Sequence, residues 1–554
     1  MYSMRRIHVH RFGLTLLCSI LLLSSLDYCT SATARTWHVT NDAELEYAFE
    51  NAHSYDTIVI GAGTYRPSTN LDVANRSLTI CGKGREKTII DGRSTVDDSD
   101  FLLGRDNHST QSVEYVTIRG LCVQYSDDEG IELGCVSDVV ISDCLLRFND
   151  NDGANIQNPC FFSSITCESC AFMDNNDDGF DITACGNVTI SDCNASGNGD
   201  DGMEIHCGPG YVCQTRSHIA VVDCETYHNR NDGIRIHDIT SSSIKISRCM
   251  SHGQIDGNGF SVFLIDSTPI DVSRCMSFKN RDTYPDTPYG EGHGFYIETD
   301  GGSASVINSI AYENEGSGYY IDNDNAHTAL ALSNCTSHAN TYGIQLSNDG
   351  TFTHYEGWGA SPMLVTNCVC SENDFSLLLD VAPDDPMFDF PTVSFCDLWD
   401  EETEAHGIDV LSLFGDGMMS RDPEYVFSEK GDLGLSASSP LIDSGTDTSA
   451  PAYGTVVDDF TGRLRPKMHG YDIGAYEYFQ AFSPATFTSL VTSALCELTR
   501  LWNEVSADGG LGEGSVAALD TIQQHMAVAS SLGNPVAALG ALEKALVLIR
   551  GLGV

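Results

Sequence analysis

A short pattern of hydrophobic and polar positions recurs nine times along the middle of this 554-residue chain. Each copy places acidic or polar residues before a glycine and an apolar–polar–apolar triplet after it, as in Asp-Asp-Gly-Phe-Asp-Ile. The triplet predicts one short strand per copy, and repeats of this length are typical of a solenoid whose stacked coils bury their apolar side. The hinge glycines are Gly130, Gly153, Gly179, Gly202, Gly233, Gly259, Gly294, Gly318 and Gly343.

Cysteines advance along the chain in step with these glycines. A residue that recurs with the period of the coils occupies the same place in every coil, so we expect these thiols to pack in the interior rather than form disulfides. They are Cys144, Cys170, Cys193, Cys224, Cys249, Cys275 and Cys368. Cys207 and Cys213 are better disulfide candidates, because they flank an irregular Gly-Pro-Gly loop.

The chain divides into five predicted regions. Two early arginines, an apolar run and the small residues 32–34 predict a signal peptide, and no later segment has 18 uncharged apolar residues. We therefore expect a secreted or cell-surface protein without a transmembrane segment. Asn41 is the predicted N-cap of a helix that closes the first coils. The regions are the signal peptide (1–34), N-terminal cap and first coils (35–112), β-helix repeats (113–370), less regular coils with a closing segment (371–479) and a helical appendage (480–554).

The chain is strongly acidic, with 78 acidic and 29 basic residues and a formal net charge of −49. Such a charge disfavours binding to nucleic acid and to anionic membranes. It is compatible with cation binding, and also with a merely solubilising acidic surface. We expect a monomer.

Acidic residues concentrate around consecutive hinge glycines. The middle side chain of an apolar–polar–apolar strand points to solvent, so stacking aligns Asp181 and Glu204 in one outward column. Carboxylates one strand spacing apart repel one another unless a cation lies between them, and Ca²⁺ prefers oxygen donors of this kind. The alternative is that these Asp-Gly sequences only form turns, with carboxylates capping backbone N–H groups. The candidate Ca²⁺ ligands are Asp152, Asp177, Asp178, Asp181, Asp200, Asp201 and Glu204.

Several phrases resemble those of right-handed parallel β-helix proteins: the hinged coils, Gly-Ala-Gly-Thr-Tyr at 61–65, and the closing segments 458–466 and 471–478. The phrase Asp177-Asp178-Gly179-Phe180-Asp181 is similar to the Ca²⁺-binding cluster of family 9 polysaccharide lyases, which act on pectate. That family carries its lysine base in a Gly-Asn-Gly-Phe-Lys phrase, and here Ser261 follows Gly257-Asn258-Gly259-Phe260 instead. The resemblance implies a right-handed parallel β-helix, Ca²⁺ as cofactor and an acidic polysaccharide as substrate.

Basic and aromatic residues follow the acids along the same coils. Arg235 lies in the outward column one coil after Glu204, so it is a candidate base for β-elimination from a uronate, or else an ion-pair partner of Glu204. Lys279, in an insertion, is a second candidate base, and His206, His237 and His293 are alternative proton carriers. Residues expected to contact the sugar are Arg230, Ser261, His293, Tyr296 and Tyr320.

The sequence thus favours a secreted, Ca²⁺-dependent pectate-lyase-like protein that cleaves an acidic polysaccharide. One alternative is a non-catalytic carbohydrate-binding or cell-surface β-helix protein that lost its base, and Ser261 favours it. A further alternative is a glycoside hydrolase, which needs two carboxyl groups at a suitable separation.

Overall fold

The computed structural model describes residues 34–95, 101–105, 112–158, 164–184, 186–206, 218–237, 243–264, 268–283, 292–299, 303–323, 329–348, 363–381, 391–399, 402–405, 414–467 and 469–479. The predicted signal peptide up to residue 33, the pair Cys207 and Cys213, and the predicted helical appendage from residue 480 lie outside the described residues. In the described ranges, no helix is long and apolar enough to cross a membrane.

The chain winds through three parallel sheets, which we name sheets I, II and III in the order in which each coil visits them. A coil contributes one strand to each sheet, and equivalent strands of successive coils pair side by side. The described residues form 14 strands of sheet I and 13 strands each of sheets II and III. This arrangement is the parallel β-helix that the glycine period predicts.

The strands of sheet I are β1 (Thr36–Val39), β2 (Thr57–Ile60), β5 (Leu78–Cys81), β8 (Val113–Arg119), β11 (Val136–Ser142), β14 (Ser164–Glu168), β17 (Asn187–Ser191), β20 (His218–Val222), β23 (Ser243–Ser247), β26 (Pro269–Ser273), β29 (Ser303–Ile307), β32 (Ala329–Ser333), β35 (Met363–Thr366) and β38 (Thr392–Ser394).

The strands of sheet II are β3 (Gly63–Tyr65), β6 (Thr88–Asp91), β9 (Cys122–Gln124), β12 (Leu145–Arg147), β15 (Ala171–Met173), β18 (Asn194–Ser196), β21 (Glu225–Tyr227), β24 (Met250–His252), β27 (Met276–Phe278), β30 (Ile310–Tyr312), β33 (Thr336–His338), β36 (Val369–Ser371) and β39 (Asp397–Trp399).

The strands of sheet III are β4 (Leu71–Asp72), β7 (Phe101–Arg105), β10 (Glu129–Gly134), β13 (Ala154–Asn158), β16 (Phe180–Ala184), β19 (Met203–His206), β22 (Ile234–His237), β25 (Phe260–Leu264), β28 (Phe295–Thr299), β31 (Ser317–Asn323), β34 (Tyr342–Asn348), β37 (Phe375–Val381) and β40 (Glu402–Ala405).

A single α-helix is described, α1 (Asp42–Asn51), together with the 3₁₀ turns Gly92–Ser94, Ser428–Lys430 and Pro451–Tyr453. The side chain of Asn41 accepts a hydrogen bond from the Glu44 backbone N–H at 3.0 Å, as expected of an N-cap. The helix contacts β1 and β4, and its buried residues are Leu45, Ala48 and Phe49. The predicted helix is confirmed, whereas its role in closing the solenoid stays a prediction.

Close approach between coils explains the hinge glycines. A Cβ atom on Gly179 would lie 2.5 Å from the carbonyl oxygen of Gly202, the equivalent residue of the next coil. Gly130, Gly153 and Gly202 show the same contact with the glycine that follows them. A side chain at the hinge would therefore push neighbouring coils apart, which is why glycine recurs at this point.

The predicted interior cysteines are confirmed as buried, free thiols. Each described thiol of the series lies near the carbonyl oxygen two residues earlier, as Cys193 Sγ does with the Ser191 oxygen at 3.2 Å. Cys167 adds a further thiol to this interior, with its Sγ 3.6 Å from that of Cys193. The core otherwise consists of alternate apolar strand residues, including the stacked rings of Phe172 and Phe180, whose centroids are 4.9 Å apart.

An amide ladder runs along the corner between sheets II and III, and the sequence analysis missed it. In four successive coils, the Nδ2 atoms of Asn149, Asn175 and Asn198 donate to Oδ1 of the next asparagine, ending at Asn229, over 2.9–3.0 Å. The same Oδ1 atoms also accept backbone N–H groups. The sequence signal was an asparagine four residues before the hinge glycines Gly153, Gly179, Gly202, Gly233 and Gly318. Gln254 continues the ladder, which resumes at Asn280, Asn314, Asn340 and Asn373.

The closing segment, which includes the antiparallel strands β41 (Tyr425–Phe427) and β42 (Asp432–Leu435), packs against β27, β30 and β36 of sheet II. A fully buried ion pair joins Arg465 and Glu477 within it, over 2.7 Å. Asn308 binds the segment through its Nδ2, which donates to the Asp458 carbonyl at 2.7 Å. The two closing phrases recognised in the sequence therefore meet each other and the solenoid.

We expect Asn198→Ala to lower the free energy of unfolding by about 2–4 kcal/mol, because two donors of Asn175 would lose their buried acceptor. Asn187→Ala, at the exposed start of β17, is the control. Denaturant unfolding of both variants and the parent checks this. Equal stability of the two variants would contradict a supporting role for the amide ladder.

Candidate functional site

The outward column predicted on sheet III exists and is continuous. Parallel register places Asp181 beside Glu204 and Glu204 beside Arg235, one coil apart at each step. Phe180 and Ile182 on either side of Asp181 are buried, so Asp181 faces outward as the alternation predicts. The full column is Glu132, Asn155, Asp181, Glu204, Arg235, Ser261, Tyr296, Tyr320 and Gln345.

The residues before the hinge glycines form a second, buried column. Asp152 Oδ1 accepts the backbone N–H of Asp178 at 2.9 Å, and Asp178 Oδ1 accepts that of Asp201 at 2.7 Å. Asp201 repeats the contact with Asp232 at 2.7 Å. These carboxylates do cap backbone N–H groups, but across coils rather than within a local turn.

Burial raises the pKa values of this column. It raises the pKa of Asp152 to about 8, with a contribution from the negative charge of Asp181. It raises the pKa of Asp178 to about 10, assisted by the charges of Asp201 and Asp152. The pKa of Asp201 is also raised well above its ordinary value by burial and by Asp232. Without a cation, the folded chain therefore favours protonation of these carboxyls.

Three carboxylates at the corner before sheet III form an oxygen-only cluster. Asp177, Asp178 and Asp200 each bring an oxygen within 4.8 Å of the other two. Burial and the charge of Asp200 raise the pKa of Asp177, and burial also raises the pKa of Asp200. This donor set fits a hard cation such as Ca²⁺, which accepts several oxygen ligands in flexible geometry.

The outward acids have nitrogen partners that the sequence analysis did not assign to them. His206 Nε2 lies 3.1 Å from Asp181 Oδ1, and His237 Nε2 lies 2.9 Å from Glu204 Oε1. Burial alone would raise the pKa of Glu204, but the hydrogen bond from His237 and the nearby positive charges lower it overall. Glu204 therefore belongs to a different electrostatic environment from the buried column.

Arg235 forms ion pairs with the acids of the preceding coil. Its NH1 lies 3.4 Å from Asp201 Oδ2 and its Nε lies 3.7 Å from Glu204 Oε1. Burial lowers the pKa of Arg235, but the charges of Asp201, Asp232 and Glu204 outweigh it, so the pKa is raised overall. The ion pair considered from the sequence is confirmed, and it holds the guanidinium protonated.

Arg230 and Lys279 lie apart from the outward column. Arg230 is exposed and lines a shallow pocket with Asp177, Asp200 and other polar residues. Lys279 follows β27, three coils beyond β18, the strand that precedes Asp200. Its Nζ pairs with Glu313 Oε2 at 3.2 Å. The structure therefore brings Arg230 to the oxygen cluster and keeps Lys279 on a distant coil.

Ser261 is fully buried, although it continues the outward column. The rings of Tyr296 and Tyr320 stack on each other with centroids 4.9 Å apart. The ring centroids of Phe263 and His293 lie 4.9 Å from those of Tyr296 and Tyr320 respectively. Tyr296 is buried and Tyr320 is half-buried, and the predicted contact of these tyrosines with a sugar stays a prediction. Their hydroxyls point towards carboxylates, Tyr296 donating to Glu298 at 3.1 Å.

We expect the chelator-treated protein to lose stability as pH rises from about 4 towards 8. The folded-state pKa values of Asp152 (about 8) and Asp178 (about 10) exceed the ordinary 3.8, so over this range the folded state retains protons that the unfolded state has released. Thermal unfolding across this range should show a falling Tm, and Asp178→Asn should make the fall shallower.

Asp192→Asn, which changes an exposed aspartate at another corner, should leave the pH slope as in the parent protein. Identical slopes for Asp178→Asn and the parent would contradict the proposal that buried carboxyls cause the loss of stability with rising pH.

Among solved structures, the chain is similar to pectate lyase Pel9A, with 16% identity, a TM-score of 0.39, and 81% of this chain and 97% of that chain covered. It is also similar to the N-terminal fragment of bacteriophage Phi29 gene product 12, with 13% identity, a TM-score of 0.45 and coverage of 72% and 75%. The A-module of Azotobacter vinelandii mannuronan C-5 epimerase AlgE4 shows 13% identity, a TM-score of 0.31 and coverage of 69% and 94%.

No curated protein sequence matches this chain. The sequence does match the family described as right handed beta helix region, over residues 49–212, 106–273 and 206–357. These overlapping matches extend from residue 49 to residue 357, which is more than half of the chain. The protein therefore belongs to the right-handed β-helix family.

Proposed function

We propose that this protein is a secreted, calcium-dependent lyase that cleaves an acidic, uronate-containing polysaccharide by β-elimination. The observation that carries the proposal is the convergence of carboxylates, a guanidinium and two imidazoles on successive coils of sheet III. Asp181, Glu204 and Arg235 are register neighbours, and His206 and His237 pair with the two acids.

Calcium would be held by the oxygen-only cluster of Asp177, Asp178 and Asp200, with Asp152, Asp181 and Asp201 close by in the two columns. When bound, it would neutralise the uronate carboxylate and so make the C5 proton more acidic. The raised pKa values of the acids support this assignment, because they show that negative charge is poorly compensated there.

Arg235 suits a substrate-binding role better than that of a base. Three carboxylates raise its pKa, so loss of its proton is disfavoured further than for a free arginine. Its planar guanidinium can bind a uronate carboxylate through paired hydrogen bonds. We therefore revise the assignment made from the sequence and place Arg235 in carboxylate recognition.

His237 is the proposed proton acceptor. Its Nε2 lies 2.9 Å from Glu204, and a carboxylate on one imidazole nitrogen orients the ring and stabilises the cation that forms after proton uptake. In the reaction, the C5 proton would pass to the imidazole, a C4–C5 double bond would form and the C4–O bond would break. The departing oxygen would then take up a proton.

The second candidate function is a non-catalytic, metal-stabilised carbohydrate-binding protein. The burial of Ser261 favours it, because this position holds the lysine base in the lyase family that the sequence resembles, and a fully buried serine cannot contact a sugar. The partly buried outward acids and the exposed Arg230 would then only bind the polymer.

The test is the ultraviolet absorbance of unsaturated uronate after incubation with polygalacturonate, with Ca²⁺ or with a chelator. We expect product only with Ca²⁺, and a rate lowered by about 100-fold or more in Arg235→Ala and in His237→Gln. Ser261→Ala is the matched control on the same column and should retain the parent rate.

Product from Arg235→Ala and His237→Gln at the parent rate would refute the assigned roles. Absence of product under all conditions, with calorimetric Ca²⁺ binding that Asp178→Ala abolishes, would refute the lyase and support the binding protein.

A further inference from the structure

Four side chains on sheet III form a donor set that differs in chemistry from the oxygen-only cluster. Asp181, Glu204 and His206 each place one donor atom within 4.8 Å of the other two. His237 joins them through Glu204, at 2.9 Å. The set contains two imidazole nitrogens as well as carboxylate oxygens, whereas Asp177, Asp178 and Asp200 offer oxygen alone.

Strand geometry explains why these side chains meet. Residues two and four positions after a hinge glycine lie on the same face of a strand, so Glu204 and His206 of β19 both point outward. Register then places Asp181 beside Glu204, and His206 beside His237. The two imidazole rings are parallel within 4° with centroids 5.2 Å apart, so both are held in fixed orientation.

Two of the contacts are close to the separation of ligands that share one ion. Two ligands at about 2.05 Å from a tetrahedral Zn²⁺ lie about 3.3 Å apart. The His206 Nε2–Asp181 Oδ1 and His237 Nε2–Glu204 Oε1 separations are 3.1 and 2.9 Å, each close to this value. His237 lies outside the group of three whose donor atoms are all within 4.8 Å of one another, so its imidazole would have to move towards Asp181 and His206 to bind the same ion. The acid and histidine side chains here are 13–19% exposed, which leaves an entry path for an ion from solvent.

We propose that Asp181, Glu204, His206 and His237 form a second metal site, selective for a divalent transition-metal ion such as Zn²⁺. Imidazole is a preferred ligand of zinc, copper, iron and nickel, whereas calcium takes oxygen ligands. The acidic surroundings attract cations of either kind, so the ligand type decides which ion each cluster holds. The metal candidates grouped together from the sequence therefore separate into an oxygen site and a mixed nitrogen–oxygen site.

This second site does not depend on the lyase activity. It shares His237 with the proposed reaction, so a bound transition metal would occupy the imidazole that is meant to accept the proton. Zn²⁺ would then inhibit a Ca²⁺-activated lyase, and the same ion would also bind in a protein without any lyase activity.

The experiment is calorimetric titration of the full-length protein with Zn²⁺ and, separately, with Ca²⁺, supported by visible spectra of the Co²⁺ form. We expect one Zn²⁺ per chain, the intense visible absorption of tetrahedral Co²⁺, and at least about a 100-fold weaker Zn²⁺ affinity in His206→Gln and in His237→Gln. Both variants should retain Ca²⁺ binding. Asp177→Asn should weaken Ca²⁺ binding and retain Zn²⁺ binding.

His252→Gln is the matched control. His252 also stacks between rings and pairs with a carboxylate, Glu225 Oε1 at 3.4 Å, but it lies on sheet II away from the cluster. It should bind Zn²⁺ as the parent does. The proposal is wrong if Zn²⁺ affinity is unchanged in His206→Gln and His237→Gln, or if it falls equally in His252→Gln.

Retained lyase activity with Ca²⁺ in the absence of Zn²⁺ binding would refute the second site alone. Zn²⁺ binding in a protein that yields no unsaturated product would refute the proposed reaction alone.

Discussion

In-register pairing between strands of successive coils is the constraint on which this protein depends. Each coil is too thin to bury its own apolar side chains, so it is stable only when stacked on its neighbours. Backbone hydrogen bonds set the spacing, the hinge glycines permit the close approach, and the ladder from Asn149 to Asn229 satisfies the amides at the corner. A shift of one residue in register would turn the apolar side chains outward and expose the core.

The same constraint creates the electrostatic character of the site. Stacking equivalent residues at one strand spacing forces like charges together, and the molecule relieves this in two ways. In the buried column, Asp152, Asp178 and Asp201 accept backbone N–H groups and have raised pKa values. In the outward column, Glu204 has histidine and arginine partners and a lowered pKa. Arg235 reaches both Asp201 and Glu204, but burial dominates at Asp201, whereas Glu204 also accepts a hydrogen bond from His237. The buried carboxyls and Glu204 therefore differ in proton affinity.

The oxygen-only cluster and the imidazole–carboxylate pairs are suited to different chemistry. Poorly compensated oxygens before β16 and β19 are suited to a hard cation, while the imidazole–carboxylate pairs on those strands and on β22 are suited to proton transfer or to a softer ion. Arg235 connects the two groups, since it lies within ion-pair distance of Asp201 in one column and Glu204 in the other. A negatively charged polymer lying along sheet III would meet all three kinds of group within three coils.

The sequence by itself determined the solenoid, the interior cysteines and the alignment of Asp181, Glu204 and Arg235, because these follow from periodicity and from the two-residue alternation of strands. Only the tertiary structure decided which neighbours those side chains use. The pairing of Glu204 with His237, the stacking of Tyr296 on Tyr320 and the ion pair of Lys279 with Glu313 depend on side-chain direction and on contacts between coils. Periodicity specifies the column in which a residue stands, whereas the partner it reaches within and between columns is set by packing.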